Sequence, residues 1–467
     1  MSLPELDPFL SWFQRNGGTI DLDAIGFKYF PSTEGGRGAV ALKNIEKGRT
    51  LFTVPRSLIL SIKTSSLPEK FGPKIWKECK LDTGWSGLIL CMMWEDAQTL
   101  DSKWYHYLGD FCSKSEELEG TPVVEKLGKE DAERDYHDKV LLALQRRPDL
   151  FPPESIPNHY SLERYHIMGS RILSRSFDIE HAGTDDVTLE EELNNEGDRS
   201  IGSAMDVDDH DETAGAEDGS IQDGPLLEDE DENDAINVSM VPVADLLNAR
   251  FSSENAKLFY EDTELKMITT KPISAGQQIW NTYNDLPNSE LLRKYGHVDV
   301  LPLSGGGNGN PADVVEIRAD LVLSTFLEQS GSAATSSSER IDWWLEQGGD
   351  DIFVLETNFE IPEAMTSLTR LLYLSSDEWE KARDKEKPPK PRLDSQASGL
   401  ISLVLQKRIA YYPSTMKEDE EMFENEAGMP LNKYQALIRL QIAKSDSSQK
   451  RKSAPPGPNV SKKKAKR

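Results

Sequence analysis

The stretch that decides the fold is GGRGAVALKNIEKGRTLFTV, residues 35–54. Apolar residues at 39–42 and again at 51–54 predict two strands joined by a turn at residues 46–48. Three glycines in the first four residues allow the backbone to approach a ligand closely. No Gly-Lys-Ser/Thr follows and the next segment is a strand, which excludes a phosphate-binding loop. A plain turn and a main-chain ligand site both remain open.

A spacing within this stretch occurs twice in the chain. Offsets of 0, 2, 5 and 8 residues relate Lys43, Ile45, Gly48 and Leu51, and they relate Lys271, Ile273, Gly276 and Ile279 equally. Each set predicts a strand, a glycine turn and a second strand. They are either two ordinary hairpins or related parts of one β-fold that a long insertion separates.

Two further motifs carry polar groups in apolar surroundings. VPVADLLNA, residues 241–249, places Asn248 after an apolar run, where a buried amide is normally hydrogen-bonded. A helix cap or an Asx turn explains Asn248 alone equally well. NTYNDLPNSELLRKYGHV, residues 281–298, contains Tyr283 and Tyr295. Each tyrosine by itself is typical of a core residue with a satisfied hydroxyl.

Helical patterns fill much of the remaining sequence. Between residues 68 and 176, the spacing of Trp85, Leu88, Ile89, Met92 and Met93 indicates the buried face of a helix. Further helices are predicted over residues 4–16, 165–177, 312–329, 362–374, 398–411 and 432–443.

The net charge of -28 is concentrated in one segment. Residues 180–234 hold 22 acidic residues and one basic residue, and residues 181–235 are predicted to form a disordered insert. The insert is either a solvated spacer or an electrostatic attractant for a basic substrate. Lys450–Arg467 holds eight basic residues and no acid, which predicts a two-part nuclear import signal, with RNA contact as the alternative.

Several classes of protein are excluded by what the sequence lacks. Cys79, Cys91 and Cys112 form neither a disulfide framework nor a zinc pattern and are expected to be buried free thiols. No apolar run approaches 18 residues, and the N-terminus lacks a signal-peptide pattern, so we expect a soluble intracellular protein without a membrane span. The histidines show no metal spacing.

The three motifs together resemble the SET-domain lysine methyltransferases, in the branch typified by the Rubisco large-subunit methyltransferase. GGRGAVALKNIEKG resembles the glycine motif of that branch, VPVADLLNA its asparagine motif and NTYNDLPNSELLRKYGHV its closing tyrosine motif. RIAYYPSTMKEDEE (408–421) and NKYQALIRLQIAK (432–444) resemble its C-terminal lobe. The resemblance covers most of the chain apart from the insert and the tail.

The resemblance implies an α+β fold, in which helices split a β-rich SET domain and an all-helical lobe that binds the substrate follows. The expected parts are the N-terminal SET segment (1–63), the helical insertion (64–180), the acidic insert (181–235), the C-terminal SET segment (236–303), the helical lobe (304–445) and the basic tail (446–467). The spaced repeats then belong to the two parts of the split domain.

Site residues follow from the resemblance position by position. S-adenosyl-L-methionine is the implied cofactor, and the positions expected to contact it are Gly35, Gly36, Arg37, Arg175, Asn248, Ala249 and Tyr283. Ala249 replaces a histidine that is common in the family, so only a backbone role carries over there. Tyr283 and Tyr295 are the implied catalytic tyrosines, and Tyr260 is the implied third wall of the lysine channel. No metal is implied.

The implied activity is protein-lysine N-methylation, with one methyl group added to a large-subunit ribosomal protein. The alternatives are a methyltransferase of histones or another nuclear protein, a non-catalytic binding module that has kept the fold, and an acidic chaperone for basic proteins, which rests on the insert alone. The expected partners are a basic protein substrate and a nuclear import receptor that binds Lys450–Arg467. A monomer located in the nucleus, and also in the cytoplasm, is expected.

Overall fold

The computed structural model describes residues 3–31, 34–111, 129–179, 238–303, 308–330, 334–412, 414–415, 417–418 and 421. The described residues form two compact units, one within Met1–Leu286 and Glu290–Asp299 and one within Pro287–Ser289 and Val300–Arg467. The acidic insert, the basic tail, Cys112 and the helix predicted over 432–443 lie outside the described residues.

The first unit is built on two larger antiparallel sheets, and β5 and β6 form a separate two-stranded sheet. Its strands are β1 (Thr19–Ile20), β2 (Ile25–Tyr29), β3 (Arg37–Ala41), β4 (Thr50–Pro55), β5 (Ser176–Asp178), β6 (Val238–Met240), β7 (Ala256–Tyr260), β8 (Glu264–Thr269) and β9 (Gln278–Ile279). One larger sheet has the order β1-β4-β8-β7 and the other the order β2-β3-β9. Each larger sheet therefore combines strands from both sides of the helical insertion, as a split domain requires.

The repeated spacing marks where the chain passes from one sheet to the other. Neither copy is a hairpin, because β3 and β4 belong to different sheets and so do β8 and β9. The two copies pair with each other instead: the amide of Ile45 donates to the carbonyl of Ile273 at 2.8 Å, and the amide of Ile273 returns the bond at 2.9 Å. The hairpin interpretation is wrong, and the alternative of two related parts of one β-fold is correct.

Helices pack on these sheets and enclose one apolar core. They are α1 (Asp7–Arg15), α2 (Leu67–Phe71), α3 (Pro73–Glu78), α4 (Ser86–Ala97), α5 (Tyr105–Phe111), α6 (Lys129–Asp135), α7 (Leu141–Arg146), α8 (Ile156–His159), α9 (Leu162–Arg175) and α10 (Asn288–Tyr295). A π-helical turn, Tyr136–Val140, joins α6 to α7. Helix α4 carries the predicted pattern and is buried along most of its length, because it lies at the centre of the core.

The second unit is mixed rather than all-helical. Its elements are β10 (Leu301–Pro302), β11 (Asn308–Gly309), β12 (Val315–Arg318), α11 (Ala319–Ser330), α12 (Ala334–Glu346), β13 (Ile352–Leu355), α13 (Glu363–Tyr373), α14 (Ser376–Asp384) and α15 (Ser395–Ala410). Residues 315–318, which the sequence places in a helix, form a strand that pairs with β13. The sequence VEIR alternates between buried and exposed positions, so the two-residue period of a strand applies there. The α+β class is confirmed, and the all-helical description of the lobe is wrong.

Two short strands bracket the acidic insert. Strand β5 follows α9 directly and pairs antiparallel with β6, with Asp178 opposite Val238. The helix predicted over 165–177 therefore ends at Arg175, and Ser176 and Phe177 are extended. The described residues on either side of the insert lie side by side.

Three expectations drawn from the sequence, on cysteines, membrane spans and metal sites, can be compared with the residues that the structure describes. Cys79 and Cys91 are buried and free, as expected. None of the described helices is long and apolar enough to cross a membrane. Within the same residues, no three His, Cys, Asp or Glu side chains are grouped in a way that could hold a metal ion.

Candidate active site

The glycine motif contacts the asparagine motif directly. Gly35 and Gly36 both have positive φ, +90° and +69°, a region that side chains disfavour. A Cβ on Gly35 would lie 2.6 Å from Cγ of Asn248, so no larger residue fits there. A Cβ on Gly36 would meet nothing within 4 Å among the described residues. Gly35 is thus required by the contact with Asn248, and Gly36 presents an open face.

The side chain of Asn248 holds three segments together. Its Nδ2 donates to the carbonyl of Arg37 at 3.1 Å and to Oε1 of Gln278 at 2.8 Å. Gln278 in turn donates from Nε2 to the carbonyl of Glu34 at 3.2 Å. The amide is therefore a bridge between β3 and β9, which settles the choice left open by the sequence against a local cap.

The two tyrosines of the closing motif form a stacked pair. The rings of Tyr283 and Tyr295 lie 4.0 Å apart between centroids with an interplanar angle of 7°. The hydroxyl of Tyr283 donates to the carbonyl of Leu247 at 3.3 Å. Burial raises the pKa of Tyr283 to about 12, against an opposing effect of Arg175. The phenol is therefore protonated at neutral pH and acts as a hydrogen-bonding group rather than as a base.

A charged cluster lies next to these motifs. Arg175, at the end of α9, donates from Nη1 to the carbonyl of Asp245 at 3.0 Å. The carboxylate of Asp245 accepts from the hydroxyl of Tyr107 at 2.7 Å. Burial raises the pKa of Asp245 to about 6, and the nearby charges of Arg175 and Arg37 act in the opposite direction. Both arginines expected at the cofactor site are thus near one buried carboxyl group.

Ala249 and Tyr260 occupy the remaining predicted positions. Ala249 forms a parallel bridge with Asn281, which fixes the asparagine motif to the start of the tyrosine motif through backbone groups alone. A small cavity beside Ala249 is lined by Phe251, Tyr283 and Leu291, among others. Tyr260 ends β7 and packs against the core of the first unit. Its place in a lysine channel stays a prediction.

Four residues of this region were not identified from the sequence: Tyr107, Asp245, Gln278 and His297. The ring of His297 lies 6.2 Å from those of Tyr283 and Tyr295, and burial lowers its pKa, with Asp299 opposing. Asp245 could have been identified from the sequence, because a carboxylate inside the apolar run VPVADLL is costly to bury without partners. Nothing in the sequence identifies Tyr107 or Gln278, since only the folded chain brings them to the site.

Comparison with known proteins points to one family. A family model described as "Rubisco LSMT substrate-binding" matches residues 326–443. Ribosomal lysine N-methyltransferase 4 of Saccharomyces cerevisiae is 28% identical over 63% of this chain, and the match spans 56% of the yeast protein. N-lysine methyltransferase setd6 of Xenopus laevis is 29% identical over 81% of this chain and 76% of its own length.

Solved structures share the fold along nearly the whole chain. Rubisco LSMT bound to AdoMet is 18% identical with a TM-score of 0.56, over 96% of this chain and 91% of that one. The SET domain of LSMT bound to lysine and AdoHcy gives a TM-score of 0.55 at 17% identity, over 96% and 90%. The chain is therefore similar to SET-domain lysine methyltransferases of the Rubisco LSMT branch, and its match spans little more than half the length of the yeast relative.

The residues of the site fit S-adenosylmethionine (AdoMet), which is bound in a solved structure that shares this fold. The open face of Gly36 leaves room for a ligand against the backbone. Arg37 and Arg175 supply the positive charge that a ligand carboxylate requires. Asp245 supplies a buried negative charge near Tyr283. Gly35, Gly36, Arg37, Arg175, Asn248, Ala249 and Tyr283 therefore remain the residues that would hold AdoMet.

Proposed function

We propose that this protein methylates the ε-amine of a lysine in a large-subunit ribosomal protein and that the product is monomethyl-lysine. AdoMet supplies an electrophilic methyl group when bound. The observation that carries the activity is the stacked Tyr283–Tyr295 pair beside the Asn248 bridge. The ribosomal substrate is supported by the name of the yeast relative and by the three motifs.

The chain's own residues have to make a charged lysine reactive. An ordinary lysine has a pKa near 10.4, so its deprotonation at pH 7 costs about 4.6 kcal/mol. An apolar aromatic surface disfavours the ammonium form and reduces this cost. Tyr283 and Tyr295 supply such a surface, and because Tyr283 keeps its proton, it can orient the amine without accepting the proton.

Space beside the amine decides how many methyl groups are added. The parallel rings of Tyr283 and Tyr295 are in van der Waals contact, so neither can move aside without losing the stack. A rigid wall of this kind supports a site that accepts one methyl group. The mass of the modified peptide tests this part of the proposal, and a dimethylated or trimethylated product would contradict it.

A lysine in a histone or another nuclear protein is the second candidate. The vertebrate relative named N-lysine methyltransferase setd6 covers a larger part of this chain than the yeast relative does. The basic segment Lys450–Arg467 supports import into the nucleus through a receptor and agrees with this candidate. A fluorescent fusion that lacks residues 450–467 should lose nuclear enrichment, whereas unchanged distribution would contradict the import signal.

One experiment separates the two candidates. The full chain is incubated with radiolabelled AdoMet and one substrate in each of three parallel reactions: purified large ribosomal subunits, small ribosomal subunits or histone octamers. The labelled lysine is then identified by mass spectrometry. Label in a large-subunit protein is the expected result. Label only in histones selects the second candidate. Binding of S-adenosylhomocysteine without transfer to any of these proteins would overturn both substrate proposals.

A further inference from the structure

The carboxyl group of Asp245 is buried next to the site, and the reaction outlined above does not use it. Asp245 lies in a single 3-10 turn, Ala244–Leu246, three residues before Asn248, and is 7% exposed. Its Oδ2 accepts from the hydroxyl of Tyr107 at 2.7 Å, and its Oδ1 has no hydrogen-bond partner among the described residues. A buried carboxylate that is only half satisfied destabilises a fold, so its presence requires another reason.

Four charged or titratable groups face this carboxyl group. They are Arg175 at the end of α9, Arg37 in β3, Tyr107 in α5 and Tyr283 after β9. The charges of Arg175 and Asp245 have opposite effects on the pKa of Tyr283, which Arg175 lowers and Asp245 raises. Both charges are therefore close enough to the Tyr283 hydroxyl to influence it.

We propose that Asp245, held in place by Tyr107, is a positioning residue for methyl transfer that anchors Arg175 and balances the positive charge around the cofactor. The anchor is the backbone carbonyl of Asp245, which accepts from Nη1 of Arg175 at 3.0 Å. The balance comes from the carboxylate, because the site combines Arg37 and Arg175 with a cofactor whose sulfonium is positive. The inference rests on the proposed function, which assigns Arg175 and Tyr283 their roles.

The backbone beside Asp245 is strained in a way that supports such a fixed position. Val243 has φ +75° and ψ −41°, a conformation that is rare for a β-branched residue. Strain of this kind persists only where surrounding contacts hold the chain in place, and it is common at functional sites. Contacts that hold this turn include the bonds from Tyr107 and Arg175.

Tyr107 is itself rigidly placed. Its side chain is fully buried, and its ring packs against those of Phe9 at 6.0 Å and Trp12 at 6.4 Å, both in α1. The hydroxyl therefore has little freedom to leave Asp245. Through this bond, the N-terminal helix and α5 of the helical insertion support the asparagine motif.

The test compares two tyrosine variants of the full chain. Tyr107→Phe keeps the buried ring and removes the bond to Asp245. Tyr136→Phe is the matched control, because Tyr136 is also buried in the helical insertion and its hydroxyl donates to the carbonyl of Tyr160 at 2.9 Å. Binding of AdoMet is measured by calorimetry from pH 5 to 8, and kcat and KM are measured with radiolabelled AdoMet and large ribosomal subunits.

We expect the affinity of the wild type for AdoMet, which carries the positive sulfonium, to fall as Asp245 gains a proton below about pH 6. The hydrogen bond from Tyr107 lowers the pKa of Asp245, so its loss raises that pKa. The fall in affinity should therefore begin at a pH that is higher by roughly half a unit or more. In Tyr107→Phe, kcat should fall about tenfold, whereas Tyr136→Phe should keep the wild-type profile at a similar unfolding temperature.

Two results would overturn the inference. One is a pH profile and a kcat that are the same in Tyr107→Phe and Tyr136→Phe. The other is a wild-type affinity that does not change between pH 5 and pH 7. The binding profile does not depend on the protein substrate, so it remains decisive if ribosomal subunits are not methylated. Asp245→Asn, which keeps an acceptor for Tyr107, should remove the pH dependence altogether.

Discussion

The phenol rings of Tyr283 and Tyr295 lie parallel with their centroids 4.0 Å apart. One residue follows β9 and the other ends α10, so the stack joins two elements that are 12 positions apart in sequence. The stack fixes the plane of Tyr283, and the bond to the Leu247 carbonyl fixes its hydroxyl. The geometry of the site therefore depends on the hydroxyl and the ring separately, and the two can be tested separately.

Tyr283→Phe should lower kcat by about 100-fold, since it removes one positioned hydrogen-bonding group and keeps the stack. The variant should fold as the wild type does, which circular dichroism and the unfolding temperature would check. Transfer of label from AdoMet measures the activity. Tyr29→Phe is the control, because Tyr29 is exposed and bonds only weakly to Glu5 at 3.2 Å. Full activity of Tyr283→Phe would remove Tyr283 from its proposed role.

Alanine at Gly35 should be far more damaging than alanine at Gly36. Both positions have positive φ, so both substitutions carry a similar backbone cost of about 1–2 kcal/mol. Only the Cβ at position 35 collides with the Asn248 side chain. We expect Gly35→Ala to weaken binding of S-adenosylhomocysteine at least tenfold more than Gly36→Ala does. Equal affinities, measured by calorimetry, would show that the contact with Asn248 does not matter.

The acidic insert should be replaceable by a short turn. Asp178 of β5 lies opposite Val238 of β6, so a loop of a few residues such as Asn-Gly can join the two strands. We expect the variant that lacks residues 181–235 to keep its unfolding temperature and its affinity for S-adenosylhomocysteine. If the KM for ribosomal subunits rises in this variant at low salt and not at high salt, the insert is an electrostatic attractant. Failure of the variant to fold would show that the insert is structural.

The stability of the fold should depend on the ionisation of Asp245. Burial raises the pKa of Asp245 from 3.8 to about 6, so the folded state favours the protonated carboxyl. The stabilising contribution is present below the unfolded value and is lost as the pH rises through about 6. Relative to Asp245→Asn, the wild type should lose roughly 2 kcal/mol in free energy of unfolding between pH 4 and pH 7. Urea unfolding of both proteins at several pH values measures this, and a constant difference would contradict it.

Much of the fold could be predicted because its signals are local. Helix α4 and strands β3 and β4 follow directly from their apolar periodicity. Strand β12 was mistaken for a helix because its four residues run directly into helix α11, and the alternation within VEIR is too short to stand out. The hairpin interpretation failed for a different reason, since no local pattern tells which sheet a strand will join.

The site was predicted in part for similar reasons. Asn248, Tyr283 and the glycines lie in contiguous motifs, and the structure joins them through the Asn248 bridge and the Tyr283 hydroxyl. Tyr107 is 138 positions from Asp245, and Gln278 is 30 positions from Asn248. Pairs at such separations depend on tertiary packing, so motifs and periodicity within single segments cannot predict them.

The pairing of β4 with β8, and of β3 with β9, has a consequence during synthesis of the chain. Strand β8 emerges from the ribosome about 210 residues after β4, which corresponds to a delay of roughly 10 to 40 s at usual rates of translation. During this interval, β4 can pair only with the short strand β1, and its other edge lacks β8, although Leu51, Phe52 and Val54 are buried in the finished fold. The nascent chain, more than the completed fold, is therefore the state most exposed to aggregation, and the stage at which chaperones would act.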